Sequence, residues 1–286
     1  MATRLPTVRK VRALRTRIAE WRRKGNTVAL VPTMGGLHDG HLSLARLAKK
    51  RADRAVVSIF VNPTQFGPNE DFANYPRDVA GDAKKLAPIG ADLIFAPAVE
   101  DMYPEGFATH VEINGITDVL CGASRPGHFS GMATVVSKLL LQCLPDFALF
   151  GEKDYQQLLV IKRMVADLNI PVKILGGPIV RDSDGLALSS RNAYLSAEER
   201  RTAPLLYQTI LEIAADLSRG RAVNETITAG RVLLEAAGFK VDYLEVRNAA
   251  TLEAATNLHT TKARVFVAAF LGRTRLIDNV PLPKRV

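Results

Sequence analysis

The chain has 286 residues, 47% hydrophobic and 23% charged, with a formal net charge of +9. That length buries a full core and permits one division, because single cores stop growing at roughly 250–300 residues. No apolar run approaches the roughly 18 residues needed to span a bilayer, so a membrane-spanning helix is excluded. Cys121 and Cys143 are too few for a disulfide framework and lack the paired spacing of a zinc site, which points to a reducing, cytoplasmic setting. Both read as packing residues, since no base to activate a Cys121 nucleophile can be argued from sequence.

The positive charge is local. Residues 1–24 carry nine Lys or Arg against Glu20 alone, leaving 29 basic and 28 acidic residues in the rest. Val8, Val11, Leu14, Ile18 and Trp21 recur at helical spacing through this stretch, which predicts an amphipathic helix over 8–24 with a solvated basic face. The alternative, contact with nucleic acid or another acidic surface, is poorly served by the near-neutral remainder. A transit peptide or secretory leader is not expected, because the stretch has no cleavage region and no apolar h-region.

Strand-like runs at 28–33, 55–61, 91–97, 147–150 and 171–175 alternate with helix-like segments at 41–52, 76–87, 130–143 and 154–168. Alternation of this kind predicts a doubly wound parallel sheet, an α/β domain over residues 1–180. The polar turn Arg181-Asp182-Ser183-Asp184-Gly185 marks a change of character. Helices around 196–218 and 222–237, then strands at 241–247, 264–271 and 274–280, predict a smaller α+β domain over 181–286.

Pro32-Thr33-Met34-Gly35-Gly36-Leu37-His38-Asp39-Gly40-His41 joins a strand to a helix. Glycines there let the backbone take positive φ and approach a ligand closely, and a helix N-terminus favours an anion. His38 and His41, three apart, can stabilise charge on a phosphorus centre in either protonation state. Gly151-Glu152-Lys153-Asp154 follows another strand, so in a parallel sheet both turns lie beyond the strands' carboxyl ends, where ligands bind. Lys153 then reads as a phosphate contact, or otherwise as a surface charge.

Three further clusters have a site reading beside a plain one. Asn62 and Gln65, in Phe60-Val61-Asn62-Pro63-Thr64-Gln65-Phe66, are substrate-binding amides or simple turn residues. Leu188-Ser189-Ser190-Arg191 offers two hydroxyls and a guanidinium suited to phosphate oxygens, or else a polar approach to a helix capped by Ser196. Arg125 and His128 sit in Arg125-Pro126-Gly127-His128-Phe129, which reads equally as a helix-entry loop.

Taken in order, PTMGGLHDGH (32–41), FVNPTQF (60–66), YPRD (75–78), RPGHF (125–129), GEKDYQQL (151–158), LSSRN (188–192) and RLIDN (275–279) closely resemble the pantoate–β-alanine ligase family. Gly36 stands where that family often has alanine, and Leu188 where it often has methionine. The resemblance implies a member of the nucleotidyltransferase superfamily, with a Rossmann-like N-terminal domain, a smaller C-terminal lid domain and a homodimeric assembly. It also implies ATP with Mg2+, pantoate and β-alanine as ligands, a pantoyl-adenylate intermediate, and AMP and pyrophosphate as by-products.

By the same resemblance the nucleotide site comprises 32–41, Gly151, Glu152, Lys153, Asp154, Val180, Leu188, Ser189, Ser190 and Arg191. Among these His38, His41, Lys153 and Arg191 are catalytic, His41 being the proton donor. Gln65, Gln157, Asn62 and Arg125 form the pantoate and β-alanine site. For the metal, Asp78 and Asp82 are candidate ligands and no more than that. Two rival functions use the same features: an adenylating ligase for another hydroxy acid, and a non-catalytic RNA-binding relative of the synthetases.

Overall fold

The computed structural model describes residues 5–68, 70–255, 258 and 262–283; Arg4 of the basic stretch lies outside them. In chain order the first part contains β1 (Thr7–Val8), α1 (Val11–Arg23), β2 (Val28–Thr33), α2 (Asp39–Arg51), β3 (Arg54–Ile59), α3 (Val79–Leu86) and β4 (Leu93–Phe95). There follow α4 (Val99–Met102), α5 (Cys121–Ser124), α6 (His128–Cys143), β5 (Phe147–Gly151), α7 (Tyr155–Asp167) and β6 (Lys173–Gly177). The six strands form one parallel sheet in the order β1-β4-β3-β2-β5-β6.

Strands in the centre of this sheet are apolar on both faces because both are covered. Along β2, Val28 and Leu30 enter the core beneath α1, α6 and α7, whereas Ala29 and Val31 enter the core beneath α2 and α3. The chain runs outward from β2 through β3 and β4, then returns to build β5 and β6 on the other side. The carboxyl ends of β2 and β5 therefore flank a topological switch point, the place where such sheets bind ligands.

The remainder comprises α8 (Ala197–Thr202), α9 (Leu205–Ser218), α10 (Val223–Ala236), β7 (Phe239–Asn248), β8 (Ala263–Leu271) and β9 (Thr274–Pro281). Its strands make an antiparallel sheet, β7-β8-β9, with its own core against α9 and α10.

Several boundaries differ from the sequence reading, for local reasons. The helix expected over 196–218 is two helices, because Pro204 has no N–H to continue the ladder. Val8 belongs not to α1 but to β1, a two-residue edge strand beside Ile94 and Phe95; so short a segment carries no periodicity. Helix α1 buries Leu14, Ile18 and Trp21 and leaves Arg12, Arg15, Arg17, Arg22, Arg23 and Lys24 exposed. Its Arg22 also donates to the Leu144 carbonyl at the end of α6, at 2.9 Å, and pairs with Asp146. No helix among the described residues is long and apolar enough to cross a membrane.

Candidate active site

From the end of β2 the chain turns through Gly35 and Gly36, at φ +87° and +61°. A Cβ on Gly35 would sit 3.1 Å from Ile59 Cγ2 and 3.2 Å from Asp82 Oδ2, so glycine satisfies both the backbone angle and the crowding. The N–H groups of Gly36 and Leu37 donate to the two oxygens of Asp82, at 3.0 and 2.9 Å. Lys85 donates to the Leu37 carbonyl at 2.6 Å. The glycine N–H groups are thus spent on holding the turn, and the crevice-facing groups are the two imidazoles that follow.

His38 caps α2, its Nδ1 accepting from the Gly40 N–H at 3.2 Å, while His41 Nδ1 accepts from the His38 N–H at 3.4 Å. A nitrogen that accepts carries no proton, so each neutral ring bears its hydrogen on Nε2 and has a donor on its remaining polar edge. The rings lie 4.1 Å apart. Burial, with Lys153 next, lowers the His38 pKa to about 4; burial and His38 lower that of His41 to about 3. Of the two protonation states the sequence left open, these depressions favour the neutral one at pH 7. A Cβ on Gly40 would come within 2.8 Å of His38 Cε1, so this glycine makes room for the cap.

Across the crevice β5 ends in a 3₁₀ turn, Glu152–Asp154, leading into α7. Lys153 is half-buried there, and its ammonium has no hydrogen-bond or ion-pair partner among the described residues. A crevice with about 1200 Å³ of empty space, its open mouth included, is lined by Pro32, Thr33, Met34, His38, Gly40, His41, Gln65, Gly151, Lys153, Asp154, Gln157, Val180, Leu188, Ser189, Ser190 and Arg191. Residues far apart in sequence thus converge on one space.

Other residues singled out in the sequence do not line this crevice. Gly35, Gly36 and Leu37 form the turn just described, Asp39 is exposed and Glu152 faces Gly176 of β6. Asn62 is fully buried; its Nδ2 donates to Gln65 Oε1 at 3.0 Å and to the Gly131 carbonyl at 3.1 Å. Its Oδ1 accepts from the Tyr103 hydroxyl at 2.7 Å. This fixes the Gln65 amide with its NH₂ edge unengaged. Gly131 lacks the Cβ that would overlap the Thr64 carbonyl, so the Gln65 turn rests directly on α6.

Arg125 forks onto Glu70, with both N···O distances 2.7 Å, and the Gln65 carbonyl lies 2.9 Å from His128 Nδ1. Both residues therefore buttress the Gln65 turn. Arg191 lines the crevice but is not free: its Nε and Nη2 donate to Asp71 at 3.2 and 2.8 Å, leaving the Nη1 edge. Ser190 Oγ lies 3.2 Å from the Tyr75 hydroxyl, a second tie between this loop and the segment before α3.

Asp78 caps α3, accepting from the Gly81 N–H at 2.8 Å, and Asp82 is occupied by the glycine turn. No group of three or more His, Cys, Asp or Glu among the described residues is arranged to hold a metal. This donor set does not fit a protein-held Mg2+ cage.

The sequence reading missed the apolar half of the wall: Leu44, Phe60, Met132, Val135, Val136, Leu139, Phe150, Pro178 and Ile179, with Tyr75 at its edge. One signal was present. Helix α6 is apolar around most of its circumference, so it needs either cover on every side or a ligand against one of them.

A family model described as Pantoate-beta-alanine ligase matches residues 6–281. The chain is 56% identical over 277 residues to the pantothenate synthetase of Rhodospirillum rubrum, covering 96% of this chain and 98% of that one. It is 57% identical over 281 residues to that of Paramagnetospirillum magneticum, covering 98% and 99%. Its fold superposes on the crystal structure of pantothenate synthetase from Thermus thermophilus with a TM-score of 0.92, at 48% identity, covering 97% of this chain and 99% of that one. A pantoate-beta-alanine ligase from Francisella tularensis, solved with beta-gamma ATP and beta-alanine, matches with a TM-score of 0.79 at 36% identity and 97% coverage of both chains.

Proposed function

The chain belongs to the pantoate–β-alanine ligase family, and from that premise we propose that it makes pantothenate in two steps within this one crevice. In the first, the pantoate carboxylate attacks the α-phosphorus of ATP: the carboxylate O–P bond forms, the bond to the β-phosphate oxygen breaks, and pyrophosphate leaves. In the second, the amine of β-alanine attacks the acyl carbon of pantoyl adenylate; the C–O bond breaks, AMP departs and the amine loses a proton.

The observation that carries this reading is the Lys153 ammonium, without a partner among the described residues, in the same crevice as two neutral imidazoles whose Nε2–H edges are unengaged among those residues. Carboxylate and triphosphate repel each other, and a preorganised cation with fixed donors offsets that repulsion as charge moves onto the leaving pyrophosphate. A histidine with a pKa near 3 is almost wholly unprotonated at neutral pH, so His41 acts here as a hydrogen-bond donor to phosphate oxygen. Ser189, Ser190 and the free edge of Arg191 add donors from the opposite loop, and Asp154 and Gly151 lie against the ribose.

Gln65 and Gln157 take the pantoate hydroxyls, and Gln65 also neighbours β-alanine. A site built for two hydroxyls rejects acids that lack them, because its own amides would be left buried and unpaired. Met132, Val135 and Val136 face the geminal methyl groups, a match of apolar surface to apolar substrate. Mg2+ is expected to arrive on the triphosphate and neutralise part of its charge. The part beyond Val180 works as a lid that keeps water from the acyl adenylate, and the enzyme functions as a cytoplasmic homodimer.

The test is product analysis of the purified chain given ATP, Mg2+, β-alanine and a panel of acids. Pantothenate, AMP and pyrophosphate in equal amounts with pantoate, and little turnover with acids lacking its hydroxyls, are expected. AMP formed with a different hydroxy acid alone would favour another adenylating ligase, and no AMP with any acid, joined to salt-sensitive RNA binding, a non-catalytic relative.

A further inference from the structure

Asn279 lies on β9, only 2% exposed, and reaches across to the turn that carries Lys153. Its Nδ2 donates to the carbonyls of both Glu152 and Lys153, each at 3.0 Å. Its Oδ1 accepts from Arg264 Nε at 2.9 Å. The amide has one possible orientation, since the flipped form would set its oxygen against two carbonyls and its NH₂ against a guanidinium. Arg264 is itself fixed, its guanidinium carbon 4.1 Å from the centre of the Tyr155 ring. The backbone of Asn279 is held by Asp278, which accepts its N–H at 2.7 Å and is gripped by Arg181.

The Glu152–Asp154 turn has no side-chain cap of its own, so this clamp supplies what the local sequence does not. In a trans peptide the C=O and the following N–H point in opposite directions. Drawing the Glu152 and Lys153 carbonyls to Asn279 therefore turns the N–H groups of Lys153 and Asp154 away from the C-terminal sheet, and Lys153 and Asp154 line the crevice. We propose that Asn279, oriented by Arg264, is a positioning residue for the adenylating step, fixing from the C-terminal sheet the place from which Lys153 meets the nucleotide. This rests on the function proposed above and extends it: the β7–β9 sheet then does more than cover the crevice, because it sets the position of a catalytic cation.

The experiment is a double-mutant cycle on Asn279 and Lys153, read as pantoate-dependent exchange of labelled pyrophosphate into ATP. Asn279→Ala is expected to lower exchange by about 10- to 100-fold, the scale of a misplaced catalytic group. It should leave amide formation from supplied pantoyl adenylate nearly unchanged. In a Lys153→Ala background the same substitution should cost little more, because it acts through the lysine. Arg264→Lys, which keeps the charge but removes the planar Nε donor, should show a weaker version of the same pattern. Should Asn279→Ala fail to fold, as its near-ultraviolet dichroism would show, Asn279→Ser replaces it in the cycle. Wild-type exchange in the single variants, or fully multiplicative losses in the double variant, would overturn the inference. Absence of exchange in the unaltered chain would instead overturn the two-step function on which it rests.

Discussion

The two turns that carry His38, His41 and Lys153 to the crevice are held in opposite ways. The histidine turn between β2 and α2 is secured by its own helix cap and by Asp82 and Lys85 of the neighbouring α3, all within the parallel-sheet part of the chain. The lysine turn between β5 and α7 lacks a side-chain cap and is clamped by Asn279, more than a hundred residues away on the antiparallel sheet. One half of the proposed phosphate machinery is thus built into the first sheet, and the other half depends on how the C-terminal part is seated. An active-site group held in this way can be coupled to closure of the element that holds it.

The comparison is most sharply broken at Lys153. Lys153→Ala should reduce pantoate-dependent pyrophosphate exchange by about 10²- to 10³-fold, the range for one lost preorganised donor, while leaving the denaturation midpoint where it was, because the ammonium has no partner to lose among the described residues. Asp82→Ala should behave in the reverse sense. It leaves the half-buried Gly36 and buried Leu37 N–H groups without their acceptor and should cost about 1–3 kcal/mol of stability in urea denaturation, with activity falling only as the turn loosens. A variant at Asp82 that kept its stability would show that the histidine turn is held by something else.

The pH dependence sharpens the same contrast. His38 and His41 have folded-state pKa values near 4 and 3, below their ordinary 6.5, so below pH 6.5 the unfolded chain binds protons that the native one refuses. Stability is therefore fully present above about pH 6.5 and drains away as pH falls toward 4. Between pH 6.5 and 5.5 the loss from His41 is about 1 kcal/mol. Denaturation curves at these two pH values should converge for His41→Gln relative to the parent. An unchanged pH slope in that variant would place the acid sensitivity elsewhere, His128 being the other histidine so depressed, to about 4.

How much was legible in advance follows from the same division. The parallel sheet was readable from alternating apolar runs, and the histidine turn from glycines and a helix start lying side by side in the chain. Lys153 was legible as a residue after a strand, but its clamp was not, since nothing near Glu152 announces a partner at Asn279. Asn62 and Arg125 carried the right chemistry for a ligand, yet burial and ion pairing turn them onto Gln65, a distinction that only tertiary contacts make. Arg191 was legible as a cation near phosphate, while its pairing with Asp71 joins segments 120 residues apart. The apolar wall on α6 was hidden because ligand-facing and core-facing valines look alike in sequence.

Transfer of an oxygen atom tests the central claim most directly. Pantoate labelled with ¹⁸O in its carboxylate should hand one label to AMP, because attack of that carboxylate on the α-phosphorus and later cleavage of the acyl C–O bond leave its oxygen on the nucleotide. Label in AMP at one atom per pantothenate formed is the predicted result; label in inorganic phosphate or pyrophosphate, with none in AMP, would contradict an adenylate made in this crevice.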